Sequence, residues 1–313
     1  MAGRLRHIAA TVGAAPPANA HTARGGSESA LPAVVSPQLV EAFETDGVVL
    51  VRGLLPLPTV RRLREAYERA RAEGAHSDSP MHHSDSPRLL QLSNPSRTLG
   101  EWDRIPYLEP IVAVGKALAG DDISFSYDQL FDKEPGTQGE LLYHQDAGYG
   151  WPGLANSRGV TAWLALSEAT AAMGAPTFVL GSHRRGIVAH TPVADRAPES
   201  CGWRLERGEG GRWQVNPEPI GGALQAQPEP GDEIRTLEYA AGDVSFHSGR
   251  TLHYTGANTT TRHRLGLSSH LWPSPNDDGD EGVEAGEAGG AAPAPPQGSA
   301  LAARLHRKPD PVT

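Results

Sequence analysis

Several residue types and patterns are scarce in this chain of 313 residues. One cysteine, Cys201, excludes an intrachain disulfide framework and a zinc ribbon. No run of 18 apolar residues occurs, so no segment is expected to span a membrane. The net charge is −9 and no basic stripe is evident, which argues against a nucleic-acid binder. We therefore expect neither a nucleic-acid nor a membrane partner.

Glycine and proline, by contrast, are abundant at 36 and 27 residues. Together they form about a fifth of the chain, against an average of roughly 12%. This composition argues against a helical bundle and favours many turns. Residues 1–35 are too weakly apolar for a signal peptide, so we expect a disordered arm and a cytoplasmic location. Residues 274–313 predict a disordered, acidic tail, which leaves 36–273 as the folded domain.

Within 36–273, a small helical part precedes a run of short strands. Apolar periodicity predicts helices over 37–45, 57–73 and 108–119. A buried strand is predicted over 48–55. Further strands are predicted over 123–131, 139–145, 159–166, 176–180, 186–190, 233–238, 243–247, 251–255 and 263–272. The pattern indicates an all-β core with flanking helices, a sandwich or jelly roll. The Gly/Pro-rich stretch 195–232 is expected to be a long loop that is functional or mobile.

The pattern His-x-Asp occurs three times, and its setting differs among the three places. At 76–78 and 83–85 it lies in Ser/Pro-rich turns, where local hydrogen bonding is the expected role. His144 and Asp146 instead follow an apolar strand. Residues i and i+2 of a strand point to one face, with Cα atoms roughly 6.5 Å apart, so both can bind one metal ion. This pair is the candidate metal site.

A third ligand is expected from a downstream segment that contains four histidines, namely His247, His253, His263 and His270. We choose His253 because it lies in a predicted strand and is followed by a polar turn. Two histidines and one carboxylate leave three positions of an octahedron open, as in non-haem iron(II) oxygenases. A 2-oxo acid fills two of them and dioxygen the third. Arg264, eleven residues after His253, is suited to the distal carboxylate of such an acid.

These motifs occur in an order and with separations that resemble the phytanoyl-CoA dioxygenase (PhyH) family of Fe(II)/2-oxoglutarate-dependent oxygenases. The resemblance covers residues 37–273 and implies a double-stranded β-helix, the cupin-like jelly roll. It is carried by FETDGVVLVRGLL, FSYDQLFDKEP, YHQDAGYGW, VTAWLALSEAT, MGAPTFVLGSHRRG, AGDVSFHSGRTLH and GANTTTRHRLGLSSH.

The resemblance implies a role for each matching residue. The iron ligands fall on His144, Asp146 and His253, and the 2-oxoglutarate arginine falls on Arg264. Further cofactor contacts are implied at Thr255, Trp163, Gln129 and Thr161. Tyr149 and Trp151, aromatic residues in the glycine-rich turn after the metal motif, are candidates for substrate contact. His247 and His270 are expected to be strand or rim histidines rather than ligands.

The implied activity is oxidation, chiefly hydroxylation, of an aliphatic C–H bond of a small molecule, with succinate and CO2 as co-products. Iron(II), 2-oxoglutarate and O2 are the implied cofactors. The arginine-rich composition suggests a GC-rich bacterial source and specialised metabolism, and the chain is expected to be a monomer or a homodimer. The alternative is a non-catalytic jelly-roll protein that binds a metal or a ligand.

Overall fold

The structure is a computed structural model that describes residues 35–72, 77–78, 88–149, 158–192, 201–207, 213–221 and 224–273. The expected N-terminal arm, apart from its last residue, and the expected acidic tail lie outside these residues. In the described part, no helix combines the length and the apolar character that crossing a membrane requires.

Four α-helices precede most of the strands. They are α1 (Pro37–Asp46), α2 (Leu57–Ala72), α3 (Pro95–Thr98) and α4 (Leu108–Ala119). Helix α1 begins where the Ser36 side chain accepts a hydrogen bond from the backbone of Leu39. It ends at Gly47, which adopts the left-handed conformation that favours glycine. The three longer helices lie within one residue of their predicted bounds.

The described residues also contain fifteen strands. They are β1 (Val48–Val51), β2 (Ser77–Asp78), β3 (Leu89–Ser93), β4 (Ile123–Lys133), β5 (Leu141–His144), β6 (Val160–Ala165), β7 (Pro176–Val179), β8 (Thr191–Pro192), β9 (Cys201–Arg207), β10 (Trp213–Gly221), β11 (Leu224–Gln225), β12 (Ile234–Thr236), β13 (Val244–Ser248), β14 (His253–Thr255) and β15 (Arg264–Pro273). A seven-stranded sheet has the order β1-β13-β6-β15-β4-β3-β2, and a four-stranded sheet has the order β12-β7-β14-β5. All strand pairs among the described residues are antiparallel, which confirms the predicted all-β core with flanking helices.

The larger sheet has one apolar face and one face that carries functional groups. Leucines 265, 267 and 271 of β15 belong to a core that also contains buried residues of α1, α2 and α4. Because side chains alternate along a strand, Arg264 and His270 lie on the opposite face. That face meets the four-stranded sheet, as shown by a contact of 5.2 Å between the ring centroids of His247 and Phe178. The candidate site lies between the two sheets.

Two segments differ from the sequence prediction. The strand expected over 186–190 was wrong, because the Gln145 side chain hydrogen-bonds the carbonyl of Gly186 and the amide of Val188. The stretch 195–232, expected to be a long loop, contains the antiparallel pair β9–β10 and the short strand β11. Prolines within β10 read as strand breakers, but each strand of a two-stranded sheet has a free edge that tolerates them.

The structure also contains short strands beside β4 that were not predicted. Strand β3 pairs with β4 over five residues, and β2 pairs with the outer side of β3. Strand β2 comprises Ser77 and Asp78 from the first His-x-Asp pattern, which was expected to be a turn. The second such pattern, at 83–85, lies outside the described residues.

Candidate functional site

The sheet pairing brings the three predicted metal ligands together. His144 ends β5 and lies directly opposite His253, the first residue of β14. Asp146 follows in a short 3-10 helix, so its carboxylate points back to the two imidazoles. One ligand atom from each of the three residues lies within 4.8 Å of the others. The Nε2 atoms of both histidines are 3.7 Å from Oδ1 of Asp146.

Hydrogen bonds orient both imidazoles for metal binding. Nδ1 of His144 is 2.7 Å from the carbonyl of Leu142, and Nδ1 of His253 is 2.9 Å from the carbonyl of Thr251. A carbonyl only accepts, so each Nδ1 carries the hydrogen and each Nε2 presents a lone pair. Burial, and then the neighbouring His144, lower the pKa of His253 well below its ordinary value. The neutral form that binds metal is therefore favoured.

Asp146 is buried, yet the surrounding groups favour its ionised form. Burial alone raises the pKa of this carboxyl, but its contacts with His253, His144 and His247 hold the pKa well below its ordinary value. Two neutral imidazoles and one carboxylate form the donor set that suits iron(II). The residues present therefore fit the metal that the sequence implies.

A row of polar residues crosses the larger sheet behind Asp146. The row consists of His247 on β13, Thr161 on β6, His270 on β15 and Tyr127 on β4, and each residue lies directly opposite the next. His247 and His270 thus lie on strands, as predicted, and both contact the Asp146 side of the site. Thr161, predicted as a cofactor contact, donates its hydroxyl hydrogen to Asp146. Burial lowers the pKa of His270 to about 4.

Arg264 lies on the same sheet face with unused hydrogen-bonding capacity. Only 1% of its surface is exposed, and among the described residues neither Nε nor Nη2 has a hydrogen-bond partner. The buried hydroxyl of Thr255 likewise has no partner in the part of the chain that the structure describes. Burial lowers the pKa of Arg264 to about 10, so the group is still a cation at neutral pH. Buried donors of this kind fit a carboxylate.

Lys133, which the sequence analysis did not single out, is a second buried cation. It lies directly opposite Arg264 in the β4–β15 pair. Its ammonium group donates hydrogen bonds to the carbonyls of Gly139 and Thr255, at 2.8 and 3.2 Å, and to that of Gly256. Burial, and then repulsion from Arg264, lower the pKa of Lys133 well below its ordinary value. Lys133 therefore ties β4 of one sheet to the end of β14 in the other.

Trp163 of β6 packs against Arg264 and Gly266 of the neighbouring strand β15. The guanidinium carbon of Arg264 is 5.4 Å from the centroid of the indole, a cation–π contact. The ring lies over Gly266, where an added Cβ would overlap the indole carbon Cζ2. Gln129 lies on β4, directly opposite Ser268 of β15, and is half-buried. Because side chains alternate along a strand, it lies on the same sheet face as Arg264.

The residues just after His144 are held by contacts with neighbouring segments. Gln145 is fully buried, and its backbone amide donates to Nε2 of His190 at 3.0 Å. Tyr149 is partly buried, with its ring centroid 5.6 Å from that of His144, and its hydroxyl accepts from the amide of Leu224. Trp151, the other candidate for substrate contact, lies outside the described residues. His190 and Gln145 were missed because neither forms a motif with His144 that spacing could reveal.

Comparison with known proteins gives one family match. The sequence pattern of the phytanoyl-CoA dioxygenase (PhyH) family matches residues 43–266. No curated protein sequence matches the chain.

Solved structures share the fold at low sequence identity. SnoN, a non-heme alpha ketoglutarate dependent epimerase from nogalamycin biosynthesis, has a TM-score of 0.54 at 23% identity, covering 75% of this chain and 81% of that one. SnoK, a carbocyclase from the same biosynthesis, has a TM-score of 0.59 at 20% identity, covering 79% and 88%. EvdO2 from Micromonospora carbonacea var. aurantiaca, complexed with 2-oxoglutarate, has a TM-score of 0.58 at 20% identity, covering 79% and 94%.

Proposed function

Because the chain belongs to the phytanoyl-CoA dioxygenase (PhyH) family, we propose that it oxidises an aliphatic C–H bond of a small organic molecule in bacterial specialised metabolism. Family membership confirms the predicted enzyme class and the predicted cofactors, iron and 2-oxoglutarate. It also favours an enzyme over the alternative of a non-catalytic binding protein.

In this proposal His144, Asp146 and His253 hold the iron. Iron(II), together with 2-oxoglutarate and O2, supplies the oxidising power for removal of a substrate hydrogen atom. The chain itself supplies two oriented imidazoles and one carboxylate, buried between two sheets where bulk water has little access. The separation of Nε2 atoms from Oδ1 supports binding of all three residues to one ion.

The observation that carries the proposal is the buried pair of unsatisfied donors on Arg264 and Thr255. A plain metal site has no need of a buried guanidinium, and burying one without a partner is costly. A dicarboxylic 2-oxo acid has one carboxylate end for the metal and a second for a cation. Arg264 and Thr255 are proposed to bind that second carboxylate, with Trp163 packed beside the guanidinium.

Gln129, Tyr149 and Trp151 are proposed as further contacts to 2-oxoglutarate or substrate. SnoN and SnoK are described as an epimerase and a carbocyclase of nogalamycin biosynthesis. Proteins of similar fold thus catalyse reactions other than hydroxylation in natural-product biosynthesis. Their role supports a small natural product as the substrate class of this chain. Hydroxylation remains the proposed outcome for this chain.

Two measurements test the proposal. Anaerobic protein is titrated with iron(II) and 2-oxoglutarate, and the visible charge-transfer band of the chelate is recorded. Arg264→Ala should weaken 2-oxoglutarate binding strongly. Arg262→Ala, two residues away with 64% of its side chain exposed, should leave binding unchanged. A folded, iron-loaded protein that gives no band would refute the assigned site.

The second measurement follows succinate formation while small natural products are screened as substrates. Asp146→Ala should abolish substrate-dependent succinate formation, because the ion loses its carboxylate ligand. Products formed under ¹⁸O2 then decide the reaction type, since hydroxylation adds oxygen from O2 and epimerisation does not. Full turnover by Asp146→Ala would contradict the triad.

A further inference from the structure

The two oxygens of Asp146 have different partners. Oδ2 accepts a hydrogen bond from the Thr161 hydroxyl at 2.5 Å and lies 3.3 Å from Nε2 of His247. Oδ1 instead faces the Nε2 atoms of His144 and His253. A carboxylate oxygen has two lone pairs, so two donors saturate Oδ2. Only Oδ1 then remains available to a metal ion.

The direction of the hydrogen bonds around Thr161 follows from the carboxylate. A carboxylate only accepts, so the Thr161 hydroxyl donates its single hydrogen to Asp146. Its oxygen therefore accepts from Nδ1 of His270, which is 3.1 Å away. The His270 ring is in turn stacked on Tyr127, with centroids 4.2 Å apart and planes at 11°. The two hydrogen bonds therefore run in one direction, from His270 to Thr161 and from Thr161 to Asp146, and stacking on Tyr127 fixes the His270 ring.

Thr161 is held in place by three adjacent strands. It lies on β6 between His247 of β13 and His270 of β15, directly opposite both. Each of these residues is almost completely buried. The arrangement has no freedom to rotate the carboxylate without breaking a buried hydrogen bond, which costs free energy.

We propose that Thr161 is a positioning residue for the metal site: it holds Oδ2 of Asp146, so that Asp146 binds the ion through Oδ1 alone. The inference rests on the proposed function, since it concerns the same ion. Binding through one oxygen leaves a coordination position that a two-oxygen carboxylate would occupy. Outer hydrogen-bonding partners of metal ligands commonly change metal affinity 10–100-fold when removed.

The test uses Co(II) as the probe and needs no turnover. Metal-free full-length protein is titrated with Co(II), and the dissociation constant and the visible ligand-field spectrum are recorded. Thr161→Val removes the hydroxyl at nearly constant shape, and Thr161→Ser keeps it. Thr177→Val is the matched control, because its buried hydroxyl bonds to Thr236 rather than to Asp146.

We expect Thr161→Val to bind Co(II) about 10–100-fold more weakly with an altered spectrum, because Asp146 is free to rotate. Thr161→Ser and Thr177→Val should resemble the wild type. The inference is overturned if Thr161→Val matches the wild type, or if the Ser and Val variants weaken binding equally, which would indicate packing rather than the hydroxyl. Failure of the wild type itself to bind Co(II) would instead refute the proposed function.

Discussion

Replacing the buried Lys133 tests whether its ammonium group joins the two sheets. We consider Lys133→Met, which keeps the length of the side chain and removes the donors. Three backbone carbonyls then lose the ammonium, those of Gly139, Thr255 and Gly256. A buried acceptor left without a partner costs about 1–3 kcal/mol.

Removal of a buried cation next to Arg264 offsets part of that cost, because burial and repulsion already lower the pKa of Lys133. We therefore expect the free energy of unfolding to fall by roughly 2–4 kcal/mol, since the lost bonds outweigh the relieved desolvation. In a domain of this size, the corresponding fall in Tm is about 5–15 °C. The affinity for 2-oxoglutarate should also fall, by about tenfold for each 1.4 kcal/mol, as the strand end that carries Thr255 loosens.

Thermal and urea unfolding measure the first effect, and anaerobic titration with 2-oxoglutarate measures the second. Lys116→Met is the matched control, because Lys116 is exposed on α4 and the same substitution there removes no buried bond. It should change stability by less than about 0.5 kcal/mol. If Lys133→Met is as stable as Lys116→Met and binds 2-oxoglutarate equally well, the reasoning about Lys133 is refuted.

Two further predictions concern packing and pH. Gly266→Ala should lower the free energy of unfolding by about 1–3 kcal/mol in urea denaturation, because the new methyl group overlaps the Trp163 ring; Gly100→Ala, with no atom within 4 Å of its added Cβ, is the control and should be neutral. Burial lowers the pKa of His190 to about 4, so between about pH 6.5 and 4 the unfolded chain binds more protons than the folded one. Stability should therefore fall as the pH falls through this window, by up to about 1.4 kcal/mol per unit from this group, and His190→Gln should make the fall shallower. Equal slopes for the two proteins in urea unfolding at pH 7 and pH 5 would contradict this role for His190.

The three longer helices, most strands of the two main sheets and the candidate ligands could be predicted because their signals are local. His144 and Asp146 are two residues apart on one strand end, and the strand alone fixes their common direction. His253 required a choice among four histidines, which the polar turn after it guided. Arg264 followed from its distance along the chain.

The partners of these groups could not be predicted, because they depend on which strands pair. Lys133 lies opposite Arg264 only because β4 pairs with β15, two strands that are far apart in the sequence. The hydrogen bond from Thr161 to Asp146 likewise depends on the pairing of β6 with β13 and β15, which no local pattern reveals. The segment 186–190 looked like a strand because it contains the apolar run Ile187-Val188-Ala189, whereas the buried Gln145 side chain hydrogen-bonds its backbone.

Strand β15 contributes residues of the candidate site on one face and residues of the apolar core on the other. The position of the site residues therefore depends on the same strand register as the packing of the core. Shifting its pairing by one residue would turn Leu265 and Leu271 toward the cofactor and push Arg264 and His270 into the helix-covered core. Such a slipped sheet would bury a charge among leucines, so the misaligned state is strongly disfavoured. The insertion of a single residue into this strand would therefore disrupt the core and the candidate site at once.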